Sequence, residues 1–155
     1  MHSIWFFVLV YCCDMEIIQL TATNIEQYLD DCVLVQKYLV TPEEIIEPER
    51  FIATASDLNN YLIGVVENGH IVGMGEITKI VHPVRIVGYI NNIVVHEDYR
   101  GKGIFSLIMN ALEVKAKEWG CGKVNLTCSR VEVQPLYEKR GYVERKTKFY
   151  TLHTK

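Results

Sequence analysis

The spacing of apolar side chains changes period repeatedly along this chain, and each change predicts an element. Met15 to Leu20 alternates over a short stretch and reads as a strand. Thr23, with Glu26 three residues on, has the form of a capping box, in which two side chains satisfy free N–H groups at a helix start. Behind it Ile25, Leu29, Cys32, Val33 and Gln36 fall on one helical face. Thr41-Pro42-Glu43-Glu44 repeats the start signal, with proline at the first helical position. Pro48 predicts a further helix carrying Phe51, Ile52, Ala55 and Leu58.

The period then shortens. Tyr61 to Glu67 and His70 to Val81 are β-rich runs, and Asn68-Gly69 between them is a strong hairpin signal. After a break at His82-Pro83, Ile86 to Val95 is rich in β-branched residues. A helical period returns from about Gly103 to Trp119 and closes at Gly120 and Gly122. Lys123 to Cys128 predicts a strand, Glu132 to Lys139 a helix ending at Gly141, and Tyr142 to Leu152 a last alternating strand. The order is β, two or three α, three β, α, β, α, β. It predicts an α/β (α+β) fold: a mixed, mostly antiparallel sheet with helices on both faces.

Composition narrows the class. Apolar residues make up 49% and charged residues 23% of 155 residues, as in a globular protein with a real core. The formal net charge of -3 gives no basic excess for nucleic acid or an anionic membrane. Cys12, Cys13, Cys32, Cys121 and Cys128 lack metal-ligand spacing and read as reduced thiols of a cytoplasmic protein. Residues 1–14 form an apolar extension; its uncharged run from Ile4 to Cys13 is half the roughly 20 residues of a membrane span, and signal-peptide features are lacking. Translation starting at Met15, an appended tail, an extra strand and a contact surface are the readings open for it. Residues 15–155 read as a single domain.

Candidate chemistry concentrates after the third long β run. Ile93-Val94-Val95-His96-Glu97-Asp98-Tyr99-Arg100-Gly101-Lys102-Gly103-Ile104-Phe105-Ser106 is a buried strand, a polar turn and a helix start. A helix N-terminus leaves N–H groups free and carries partial positive charge. Glycines allow close backbone approach, and Arg100 and Lys102 add full charges, so the turn suits a pyrophosphate. The glycine spacing fits neither a Walker loop nor a dinucleotide fingerprint. A basic turn capping an ordinary helix is the plain alternative.

Arg100-Gly101-Lys102-Gly103 after an apolar strand resembles the acetyl-CoA motif of the GNAT superfamily of N-acetyltransferases, Q/R-x-x-G-x-G/A. Leu136-Tyr137-Glu138-Lys139-Arg140-Gly141-Tyr142 resembles that superfamily's C-terminal signature, and Ala116 to Val124 its helix end and turn into the fifth strand. The close resemblance covers residues 86–152; residues 15–85 match in order of elements. Gly88-Tyr89-Ile90, Tyr99-Arg100-Gly101-Lys102 and Trp119-Gly120-Cys121 also resemble the glucosamine-phosphate N-acetyltransferase branch. Two positions depart from the pattern. Phe105 stands where the family has Gly or Ala, and Asn91-Asn92 stands where many relatives carry a carboxylate.

The resemblance implies acetyl transfer from acetyl-CoA, without a metal, to a primary amine. The strand around Ile93, Val94 and Val95 would pair with the pantetheine arm, and one of its amides would polarise the thioester carbonyl. Arg100, Gly101, Lys102, Gly103, Ile104, Phe105 and Ser106 would hold the pyrophosphate. Tyr137 matches the general acid that protonates the leaving thiolate; packing on a short helix is its bland reading. Glu76, His82 and His96 are candidate bases, or Asn91 and Asn92 order a water that carries the proton away. The expected acceptor is a small molecule such as an amino sugar, a polyamine or an amino acid, with a homodimer left open. The alternatives are a non-catalytic acyl-CoA-binding module and a protein or peptide N-acetyltransferase.

Overall fold

The computed structural model describes residues 15–154, so the expectations for residues 1–14 lie outside the described residues. The order is β1 (Glu16–Leu20), a 3₁₀ turn (Ile25–Tyr28), α1 (Leu29–Gln36), α2 (Pro48–Ser56), β2 (Asn60–Glu67), β3 (His70–Val81) and β4 (Ile86–Val95). A second 3₁₀ turn (Glu97–Tyr99), α3 (Ile104–Glu118), β5 (Lys123–Leu126) and α4 (Gln134–Glu138) complete it.

The five strands lie in sequence order in one sheet. β1 to β4 pair antiparallel, and β5 joins β4 in parallel. The expected fold class is therefore the one found. Asn68 and Gly69 both take positive φ, as a tight hairpin between β2 and β3 requires. Alternation along β2 and β3 sends side chains to two cores. Ile63, Val65, Val72 and Ile77 meet Ile104, Ile108, Met109 and Leu112 of α3. On the other face Leu62, Val66, Ile71 and Met74 meet Ile25, Cys32 and Val35, with Phe51 and Ile52 of α2 alongside. α3 sits close because Gly75 faces it: a Cβ there would lie 2.5 Å from Ile108 Cγ2.

Four local expectations are corrected. Thr23 and Glu26 form no capping box; Asn24 organises the turn, its Oδ1 accepting from Thr21 N–H at 2.7 Å and its Nδ2 donating to the Gln19 carbonyl at 2.9 Å. The 3₁₀ turn that follows winds three residues per turn, which shifts the phase and buries Val35. Thr41 to Glu44 is a turn closed on itself, with the Glu44 carboxylate accepting from Thr41 N–H at 2.6 Å. β5 stops at Leu126.

The fourth is the last strand. Residues 143–154 are exposed and carry no regular structure. Alternation gives a segment a face but supplies no partner edge, and a strand's N–H and C=O groups need one.

Candidate active site

β4 carries a bulge. Met74 pairs with Val94 but Glu76 pairs with Asn91, so Asn92 and Ile93 together oppose Gly75. Asn92 accommodates the extra residue by adopting φ 52°, the left-handed region. β5 accompanies β4 only from Val87 to Ile90. From Asn91 onward the edge of β4 turned away from β3 has no strand on it among the described residues. His96 N–H donates to Val72 on β3 at 2.9 Å. The two-residue period of a strand therefore aims the N–H groups of Val95 and Ile93 at the uncovered side.

That edge runs into the glycine turn. Gly101 and Gly103 have φ 76° and 83°, and a Cβ on either would meet nothing within 4 Å, so conformation rather than space selects glycine here. Gly103 caps α3 without a side-chain hydrogen bond, and no acidic residue sits in the first helical turn. Leu107 N–H donates to Gly103 O at 3.1 Å. Ile104, Phe105 and Ser106 thus present the free N–H groups of a 15-residue helix. Arg100 Nε donates to the Val95 carbonyl at 3.2 Å while its guanidinium lies 5.6 Å from the centre of the Tyr38 ring. Lys102 Nζ sits 4.8 Å over Tyr99. Strand edge, turn and helix start form one continuous cradle for an anion with an extended arm.

Tyr137 lies beside it. Its ring meets Phe105 edge to face at 5.4 Å and Tyr142 at 6.0 Å. Burial pushes its phenol from 10 up to about 12, so it keeps its proton at neutral pH. α4 is clamped to α3 by Arg140, which donates to both carboxylate oxygens of Glu113 at 2.7 and 3.0 Å and to Asn110 Oδ1 at 2.6 Å.

The opposite face of the sheet holds a cleft of about 630 Å³, lined by Gln36, Val40, Glu43 to Glu47, Arg50, Phe51, Thr54, Leu62, Met74, Glu76 and Asn92. Glu47 engages Arg50 at 2.8 Å. Glu76 closes the cleft from β3, 9% exposed, and Asn92 Nδ2 donates to its Oε1 at 2.7 Å. Burial raises the Glu76 carboxyl and the Asn92 bond lowers it, with a net upward shift. Of the candidate bases, the fold brings Glu76 and Asn92 together. His96 caps the 3₁₀ turn, accepting from Asp98 N–H at 3.2 Å, with Tyr38 Oη 3.2 Å from its Nε2. His82 sits in the exposed turn between β3 and β4, where its backbone pairs with Arg85. Asn91 leans back to the Tyr89 carbonyl at 3.4 Å. The sequence carries no signal for the cleft wall from Val40 to Glu47, since Thr41-Pro42-Glu43-Glu44 has the pattern of a helix start.

Among the described residues no His, Cys, Asp or Glu cluster could hold a metal ion. No described helix is long and apolar enough to cross a membrane.

The sequence model of the Acetyltransferase (GNAT) family matches residues 25–142. A Drosophila melanogaster protein named "Probable glucosamine 6-phosphate N-acetyltransferase" is 31% identical over 90 residues, 54% of this chain and 41% of that one. Glucosamine 6-phosphate N-acetyltransferase 1 of Dictyostelium discoideum is 33% identical over 103 residues, 64% of this chain and 65% of that one. The chain thus spans less than two thirds of either relative. The crystal structure of glucosamine-6-phosphate N-acetyltransferase from Arabidopsis thaliana superimposes with a TM-score of 0.70 at 23% identity, covering 89% of this chain and 97% of that one. An aminoglycoside acetyltransferase from an uncultured soil metagenomic sample, in complex with sisomicin, gives 0.73 at 17% identity over 90% and 97%. At these identities the two structures speak to the fold.

Proposed function

The chain belongs to the acetyltransferase (GNAT) family, and from that premise we propose that it transfers an acetyl group from acetyl-CoA to a primary amine of a small cationic molecule. The observation that carries this reading is the position of β4. Its bulge at Asn92 opens onto the acid-lined cleft, and its uncovered edge leads to the anion cradle, so donor and acceptor can meet across one strand.

The residues present fit acetyl-CoA. Free N–H groups of Ile104, Phe105 and Ser106, with Arg100 and Lys102 beside them, suit the pyrophosphate. The Ile93 and Val95 amides on the open edge suit the extended arm, and Val94 between them anchors the strand in the opposite core. When bound, the cofactor supplies an acetyl thioester. An amide of β4 aimed at the thioester oxygen stabilises charge that develops there. Tyr137, protonated at neutral pH, gives its proton to the leaving sulfur.

The cleft favours a cation. It presents Glu43, Glu44, Glu47 and Glu76, and Arg50 is the only cation among the described lining residues, already paired with Glu47. Such a wall attracts ammonium groups and offers nothing unpaired to a phosphate. A polyamine or a multiply aminated sugar fits better than the glucosamine 6-phosphate in the relatives' names.

Thiol release measured over an amine panel tests the proposal. Polyamines and aminoglycosides should be acetylated with higher kcat/KM than glucosamine 6-phosphate, and their KM should rise with salt. Preference for the sugar phosphate would overturn the cationic acceptor. Acetylation of peptides alone would make the chain a protein N-acetyltransferase. CoA binding without thiol release from any acceptor would make it a binding module.

A further inference from the structure

Glu76 is a buried carboxylate at the end of the acceptor cleft, and the transfer chemistry described above makes no use of it. It sits in mid-sheet, opposite Leu62 on β2 and Asn91 on β4. Burying an ionised carboxyl costs several kcal/mol unless it is paired or well hydrogen-bonded. The bond recorded here is a single neutral side-chain amide, from Asn92. An apolar residue would pack at this position at less cost, so the carboxyl calls for a chemical explanation.

We propose that Glu76 is the general base that takes the proton from the substrate's ammonium, directly or through one water, and that Asn92 is the residue that positions it. The inference rests on the acetyl-transfer reading above. Three features of the site support it. The bulge gives Asn92 its positive φ and turns its side chain onto Glu76, so the strand that borders the cradle also fixes the base. A neutral amide orients a carboxylate without cancelling its charge, as an arginine or lysine would. The groups facing Glu76 leave it basic: Leu62 from β2, Gln36 from α1, and across the cleft Glu43, Glu44 and the Glu47–Arg50 pair. Desolvation acts in the same direction and brings the carboxyl closer to a useful base at neutral pH.

The proton balance closes. The ammonium gives one proton to the Glu76 carboxylate. The freed nitrogen pair forms the C–N bond to the thioester carbonyl carbon, and the C–S bond breaks with its pair going to sulfur. The sulfur takes a proton from Tyr137, and the second proton shed by the nitrogen restores the phenol. Glu76 then returns its proton to solvent through the open cleft.

Glu76→Gln tests the assignment, because it keeps the shape and the bond from Asn92 and removes only the basicity. With a polyamine acceptor, kcat/KM should fall by about 10²–10³ near neutral pH. The deficit should shrink toward the amine's own pKa of about 10, where free amine is already present. CoA affinity should hold, and the melting temperature should hold or rise. A deficit that is the same at every pH, or no deficit, overturns the proposal. If the Gln variant does not fold, Asn92→Gly, which retains the positive φ, should show a smaller loss with the same pH dependence; a pH-independent loss there overturns the proposal equally. Wild-type protein that acetylates no amine sinks the acetyl-transfer reading and this inference with it. Active wild type matched by the Gln variant sinks only Glu76.

Discussion

The rings of Phe105 and Tyr137 meet edge to face at 5.4 Å, joining the first turn of α3 to α4. Phe105 occupies a position where the family has a small residue, and the contact shows where its bulk goes. The side chain packs sideways on Tyr137 while the backbone N–H stays at the open helix end. Phe105→Ala should therefore leave CoA affinity within about tenfold, or about 1.4 kcal/mol. It should lower kcat by loosening Tyr137 and cost about 1–2 kcal/mol of stability, less than truncating a fully buried phenylalanine. Calorimetry with CoA, thiol-release kinetics and urea unfolding separate these effects. A large gain in CoA affinity would mean that the ring obstructs the cradle.

Tyr137→Phe keeps the ring, and with it the contacts to Phe105 and Tyr142, and removes the proton. The rate with an amine acceptor should fall by about 10²–10⁴. CoA affinity and melting temperature should stay near wild type. A loss below tenfold would show that the thiolate leaves unaided or is protonated by water, leaving positioning by the strand amides as the main effect.

Gly103→Ala adds a Cβ to a residue at φ 83°, where the cost is conformational because the space around it is open. Strain of about 1 kcal/mol should reorient the first N–H groups of α3 and weaken CoA binding by tenfold or more. Arg100→Ala should weaken it by about 1.5–3 kcal/mol through the lost charged hydrogen bonds. Unchanged dissociation constants for both variants would move the anion site away from this turn.

Burial raises Tyr137 from 10 and Cys32 from 9 to about 12 in the folded chain. Tyr142 shifts in the same direction, first through burial and then through the Glu113 carboxylate. Between the unfolded and folded values the native state holds protons that the unfolded chain has lost. This contribution to stability is complete below about pH 9 and declines as pH rises toward about 12. Urea midpoints should fall over that window, and Cys32 should resist thiol reagents in the native protein until it opens. Native-state labelling of Cys32 as fast as that of half-buried Cys128 would contradict the burial.

Much was legible in the chain because local rules fix it. The Asn68-Gly69 turn, the β-branched runs of β3 and β4, and glycines at the start of α3 need only their neighbours to choose a conformation. The order of strands and helices then limits the sheet to few topologies, and the arrangement of strand, glycine turn and helix start came with it, since the three are contiguous.

Tertiary structure alone decided the rest. Glu76 and Asn92 are 16 residues apart, and their hydrogen bond depends on a bulge that neither sequence position announces. The cleft wall from Val40 to Glu47 takes its meaning from facing β3 across a gap. Tyr142 to Leu152 has the alternation of a strand and forms none, because pairing needs an edge in the right place and the alternation specifies only a face. Contacts between distant segments depend on how layers pack, and a one-dimensional pattern carries each segment's preference without its partner.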